Sequence, residues 1–342
     1  MNYSVPRRSE KRQSIVLAML FVAHITASPT LARGETWAER LGFPADKKVV
    51  ILHAHEMGMC LAANEAAHQL HASGLPFSTS AMAPCAWFSD YAETVSKLPQ
   101  ADVGLELTLN SEWPNYRWQP MATDESVHSL IDDRGYFWST SVQTMVNGNP
   151  KEVEHELFVQ LVRAQLEGVE PTHLTTHLGT LFTRIDFAQA YLKMAREHWI
   201  PAVVVELTPE RVLEFKRLGF PVSPELVQLL EDYPLPKVDH LVFLRKSQSY
   251  ESKKQEFKEL IEGLEPGLTQ VAFHPAVESE ELKRIADDWQ ERVWDAQLFQ
   301  DPEVQSLLES DEIILTTWRE VMDRFEGTGS IAREVEAARE TP

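Results

Sequence analysis

The chain has 342 residues, with 32 Lys and Arg set against 52 Asp and Glu, for a formal charge of −20. That length predicts one large domain or two small ones, and 43% hydrophobic content excludes wholesale disorder. Strong acidity argues against nucleic acid or an anionic membrane surface as a partner, because phosphates would repel it. Two cysteines, Cys60 and Cys85, exclude a disulfide framework, although one bridge between them stays open.

In chain order, the N-terminus stands apart. Arg7, Arg8, Lys11 and Arg12 precede an apolar run over 15–23, which is shorter than the roughly 20 residues needed to span a bilayer. Small residues follow up to Ala32. Residues 1–32 therefore read as a secretory signal cut after Ala32, with export to the periplasm or medium and no membrane span once it is removed. A disordered or membrane-anchored leader is the alternative.

From Lys47 onward, β-branched runs alternate with helical patterns. Strands are expected over 49–52, 78–82, 103–109, 173–176, 202–207, 240–244, 269–273 and 312–315. Helices are expected over 61–72 (closed by Gly74), 88–98, 153–169, 187–199, 209–218 and 250–264, and a long acidic helical stretch over 279–308. Such alternation implies parallel strands with right-handed crossovers. The predicted fold is α/β, a (β/α) barrel of seven or eight strands in a single domain over 33–342. Residues 111–150 break the rhythm and read as a large aromatic loop over one face, carrying Trp113, Tyr116 and Trp118.

In a barrel, the C-terminal ends of strands converge on one mouth. The polar residues fall there: His53, His55 and Glu56 at the first strand, Glu106 in the third, His173 and His177 around the fourth, and His274 after the seventh. Alternation puts His53 and His55 on one face and Glu56 on the other, unless the strand has already ended near Gly58. Imidazole with carboxylate suits a divalent cation. Each residue also has a plainer role. His173 is expected to pack, His68 and His71 to sit on a helix as surface or packing residues, and Glu106 to be either a ligand or a buried partner for a histidine or arginine.

These segments resemble the YdjC/ChbG family of carbohydrate deacetylases over about residues 47–322. The family's His-Ala-Asp-Asp-x-Gly-Met stands here as His53-Ala54-His55-Glu56-Met57-Gly58-Met59. A subgroup's Met-x-Pro-Cys-x-Trp-Phe is matched by Met82 to Phe88. Asp-Val-Gly-x-His-Leu-Thr-Leu-x-Ser-Glu-Trp corresponds to Asp102 to Trp113, with Glu106 in place of the histidine. Pro-Thr-His-x-Asp-Ser-His-x-Gly-Thr-Leu-Phe corresponds to Pro171 to Phe182, with Thr175 in place of the aspartate, and the late His-Pro is His274-Pro275.

The resemblance implies a barrel-like deacetylase fold and one divalent cation (Mg²⁺, Zn²⁺ or Mn²⁺). Its ligand positions are occupied here by Glu56, Glu106 and His177. The position of the base is His55, and His274 is placed to protonate a leaving amine or stabilise an oxyanion. The implied substrate is an acetylated amino sugar or oligosaccharide, with Trp113, Tyr116 and Trp118 offering apolar faces to a sugar ring or else packing as a lid. Because the substitutions fall on functional positions, two outcomes are expected: a rewired metal hydrolase, or a deacetylase-fold protein that binds carbohydrate without hydrolysing it.

Overall fold

The computed structural model describes residues 35–217 and 222–327. Among these, seven parallel strands form one curled sheet: β1 (Lys48–Met57), β2 (Ser78–Ala81), β3 (Asp102–Leu107), β4 (Leu174–Thr176), β5 (His240–Phe243), β6 (Gly267–Phe273) and β7 (Ile313–Thr316). Their order is β4-β3-β2-β1-β6-β5, with β7 paired to the first half of β1. Helices connect the strands and cover the outside, giving a single-domain α/β half-barrel. The leader expected over 1–32 lies outside the described residues.

The expected strand over 202–207 is not a strand. Pro201 lacks an N–H, and the segment makes isolated bridges on either side, Leu174 with Ala202 and Val205 with Val238. It thereby spans the gap between the edges β4 and β5, and the strand count is seven. The expected helix over 279–308 divides into Glu280–Ile285, Trp289–Leu298 and Pro302–Leu308. Ala286 is extended where the first ends, and Asp301 caps the third with Pro302 in its first turn. The region over 111–150 is more ordered than a loop, containing helix Ser141–Asn147 and two single 3₁₀ turns. Pro224–Glu231 is a further helix, started by a Ser223 cap. The helix Leu61–Ala72 matches its expected bounds, followed by Gly74 at φ +81.

Inside the curl, the strands are tied by buried polar contacts. Asp102 accepts the Trp318 and Arg319 backbone N–H groups at 2.9 and 3.1 Å, together with the Ser78 hydroxyl, so β3 caps helix Trp318–Gly327. The fully buried Trp318 donates its indole N–H to Gln270 on β6 at 2.8 Å and stacks on His173 with ring centroids 5.7 Å apart. His173 Nε2 meets His53 Nε2 at 2.9 Å. Gly104 makes room for this ring, since a Cβ there would lie 2.4 Å from His173 Nε2. His173 packs, as expected. Cys60 and Cys85 are both buried and free.

Candidate metal centre

One tier above His53, the strand tips carry the charged groups. The register between β1 and β2 shifts between Ala54 and Met57, and Glu56 adopts φ +67. A left-handed conformation is uncommon for a residue with a Cβ and is retained where the surroundings impose it. Here it turns Glu56, which simple alternation would direct away from His55, into the mouth. Gly58 follows at φ +77, where a Cβ would lie 2.9 Å from the Phe88 Cα. Its N–H is held by Asn64 Oδ1 at 2.7 Å. The turn is thus clamped against helix Phe88–Ser96.

Glu106 lies on β3, fully buried and fully engaged. Its Oε2 accepts the Glu56 N–H at 2.8 Å and the Ser80 hydroxyl at 3.0 Å, and it faces His55 Nδ1 at 3.4 Å. Its Oε1 lies 3.0 Å from His177 Nδ1. Glu56 is divided in the same way. Oε2 accepts Arg292 Nη1 at 2.7 Å, while Oε1 lies 3.8 Å from both His177 Nδ1 and His274 Nε2. Each glutamate therefore has one oxygen fixed by protein donors and one turned towards His177. His177 Nε2 is held by both oxygens of Glu112 at 3.1 Å.

The charges bias one another strongly. Burial would lower His177, but Glu112 and Glu106 outweigh it and hold the imidazole well above its ordinary pKa. Burial would raise both glutamates. His55 and His177 instead hold Glu106 well below the usual range, and Arg292 with His274 and His177 lowers Glu56. Burial lowers His274, helped by Arg292 and His55 against the pull of Glu56.

Of the residues singled out in the sequence, Glu56, Glu106 and His177 come together, each presenting a ligand atom within 4.8 Å of the others. His55 and His274 border them, ring centroids 5.6 Å apart. The donor set fits a cation. Ligand atoms around an ion with bonds of about 2.1 Å sit roughly 3–4 Å apart, and a carboxylate on the far nitrogen is the usual partner of a ligating histidine. The buried His55 Nε2 has no hydrogen-bond partner among the described residues and is free to act on a ligand. Trp113 and Tyr116 are half-buried, whereas Trp118 is 5% exposed, edge-on to His177 at 6.1 Å. Trp118 therefore has no face left for a sugar ring; it supports His177.

Two site residues escaped the sequence reading. Glu112 lies within the Asp102 to Trp113 motif, but nothing in its spacing marks it as the partner of His177. Arg292, which also grips Asp288 at 3.0 Å, comes from a helix that reads only as acidic.

A curled parallel sheet with buried carboxylates and imidazole at its strand tips is the architecture of a metal-assisted hydrolase or of a binding protein built on the same frame. The chain belongs to the YdjC-like protein family, whose model matches residues 49–310. It is 34% identical over 285 residues to a carbohydrate deacetylase of Thermus thermophilus, covering 83% of this chain and 97% of that one. A carbohydrate deacetylase of Thermoanaerobacter pseudethanolicus is 22% identical, over 79% of this chain and 98% of its own. A crystal structure from Enterococcus faecalis V583, of a candidate cellobiose-phosphate cleavage protein, superposes with a TM-score of 0.66 at 21% identity, covering 80% of this chain and 99% of that one. That last likeness concerns the fold alone.

Proposed function

We propose that the protein is a divalent-metal hydrolase that removes N-acetyl groups from an amino sugar or oligosaccharide. One observation carries the proposal: an oxygen of Glu56, an oxygen of Glu106 and His177 Nδ1 converge in the mouth of a chain 34% identical to a carbohydrate deacetylase along nearly its whole length. Glu56, Glu106 and His177 would hold the cation, with Glu112 fixing the His177 ring so that Nδ1 faces it. Two carboxylates and an imidazole suit Zn²⁺, Mn²⁺ or Mg²⁺. A cation bound there supplies Lewis-acid polarisation of the acetyl carbonyl and acidifies water.

His55 is the base. Its Nδ1 is turned to Glu106 at 3.4 Å, which leaves the unpartnered Nε2 to take a proton from water. His274 Nε2 lies 3.8 Å from Glu56 Oε1, its backbone N–H held by Asp295 at 3.0 Å. Its ring N–H donates to the oxyanion, and the departing amine takes up the proton that His55 has removed from water. Trp113 and Tyr116 offer their faces to the pyranose ring.

A second function, carbohydrate binding without hydrolysis, is favoured by one feature. Each glutamate of the cluster already faces a basic protein group: Glu56 faces Arg292, and Glu106 and Glu112 share His177. Acetate release from N-acetylated chitooligosaccharides, with added Zn²⁺, Mn²⁺ or Mg²⁺ and then with chelator, decides between them. The hydrolase predicts metal-dependent acetate. Sugar binding with neither bound metal nor acetate leaves the binding protein. Export of the chain through residues 1–32 is part of the same proposal, and sequencing the N-terminus of protein recovered from its native host tests it. A start at residue 33 supports cleavage, and an intact Met1 overturns it.

A further inference from the structure

We propose that Arg292 sets which cations the mouth accepts, by holding Glu56 to a single free oxygen and placing a fixed positive charge beside it. This rests on the metal-hydrolase reading and deepens it.

Arg292 is anchored from several sides. Its backbone carbonyl accepts the Ala276 N–H at 3.0 Å, tying its helix to the segment that carries His274. Its Nε donates to Asp288 at 3.0 Å, and its guanidinium lies 5.1 Å from the Trp113 ring centroid. The side chain is buried, and what it presents to the mouth is Nη1, 2.7 Å from Glu56 Oε2. The bond fixes that oxygen towards the guanidinium, leaving Oε1 as the one turned to His177. On Glu106, the Glu56 N–H and Ser80 hydroxyl occupy Oε2 in the same way. Two glutamates that could offer four oxygens offer two.

Ca²⁺ needs six to eight oxygen ligands and commonly takes carboxylates through both oxygens. A site with two single oxygens and one imidazole nitrogen disfavours it and suits Zn²⁺ or Mn²⁺. The guanidinium also offsets one carboxylate charge in a buried setting, where charges are poorly screened. The consequence is weaker affinity for every divalent cation and less electron donation to whichever one binds. Arg292 is thus a positioning residue, trading affinity for selectivity and Lewis acidity.

The test uses the purified full chain, freed of metal and titrated calorimetrically with ZnCl₂, MnCl₂ and CaCl₂. The parent is expected to bind Zn²⁺ and Mn²⁺ and to show no heat with Ca²⁺. Arg292→Met, which removes both charge and donor, is expected to bind Mn²⁺ about tenfold more tightly or better and to acquire measurable Ca²⁺ binding. Arg292→Lys, which keeps charge and a donor, should return to within about threefold of the parent and reject Ca²⁺ again. Arg292→Gln carries the same expectation as Arg292→Met should the Met variant fail to fold. Folded variants with unchanged or uniformly weaker affinities and no Ca²⁺ binding would overturn the proposal, leaving Arg292 a simple prop for Glu56. Absence of Zn²⁺ and Mn²⁺ binding in the parent would instead remove the metal reading itself.

Discussion

His173 and His177 sit four residues apart, one just before β4 and one just after it, and both are buried. Their surroundings make them opposites. Burial, with His55 nearby, holds His173 well below its ordinary pKa; it bonds to His53 and Thr172 and lies flat on Trp318. His177 is held well above its ordinary value by Glu112 and Glu106. The lower tier joins β1, β4 and the C-terminal helix through two imidazoles, an indole and the Asp102 carboxyl, linked by hydrogen bonds and stacking. The upper tier gathers three glutamates, an arginine and the His177 imidazole where burying charge is expensive. A fold seeking stability alone would have filled that space with apolar side chains, so the upper tier marks function and the lower one architecture.

The largest expected effect breaks the upper tier. Glu106→Gln keeps an acceptor for the Glu56 N–H and the Ser80 hydroxyl while removing the charge that faces His177. Activity is expected to fall about a thousandfold, with bound metal lost by elemental analysis and cooperative melting preserved. Parental metal content in the variant would take Glu106 out of the ligand set. The lower tier should respond in the reverse manner. His173→Ala leaves a cavity against Trp318 and strips His53 of its partner, which costs about 3 kcal/mol in denaturant unfolding. Metal affinity should stay within about threefold. A stability loss under 1 kcal/mol, or a collapse of metal binding, would erase the distinction between the tiers.

The sequence made much of this arrangement legible. Alternating β-branched and helical runs place all seven strands, and the polar residues at their ends mark the mouth, because a parallel barrel sends all its strand tips one way. Glu56 was harder. Period-two alternation directs it away from His55, and only the register shift with φ +67 returns it, a backbone feature that no side-chain pattern encodes. Arg292 lies 236 residues from Glu56, so nothing local pairs them. The breaks in the late helical stretch had a cue in Asp301-Pro302, a cap followed by a first-turn proline, which the surrounding acidic periodicity masked. Segment 202–205 is β-branched enough for a strand, yet with Pro201 before it and one bridge per side it spans the sheet edges without extending them.

A smaller effect is expected at Glu112, which would act on a bound cation only through His177. Glu112→Gln can still accept from His177 Nε2 with its amide oxygen but removes the charge that favours the far nitrogen's proton. Metal affinity should drop about 10- to 100-fold, with the larger part of any activity loss recovered at saturating metal. Full parental affinity would make Glu112 a surface partner only.

The smallest effect belongs to Thr175, midway between the two histidines and the direct neighbour of Glu106 across the β3–β4 pairing. Parallel partners in register share a face, so Thr175→Asp would bring a carboxylate up against Glu106. Without a cation the two like charges repel, and the variant should lose about 1 kcal/mol. With Zn²⁺ the added charge has something to offset, so affinity should rise a few-fold and the stability gap should close or reverse. The informative quantity is that crossing of the two melting curves on metal addition, because a purely packing effect at Thr175 would shift both by the same amount. Parallel shifts with and without Zn²⁺ would place Thr175 in the lower tier, with His173, and the boundary between architecture and chemistry would move two residues further along the chain.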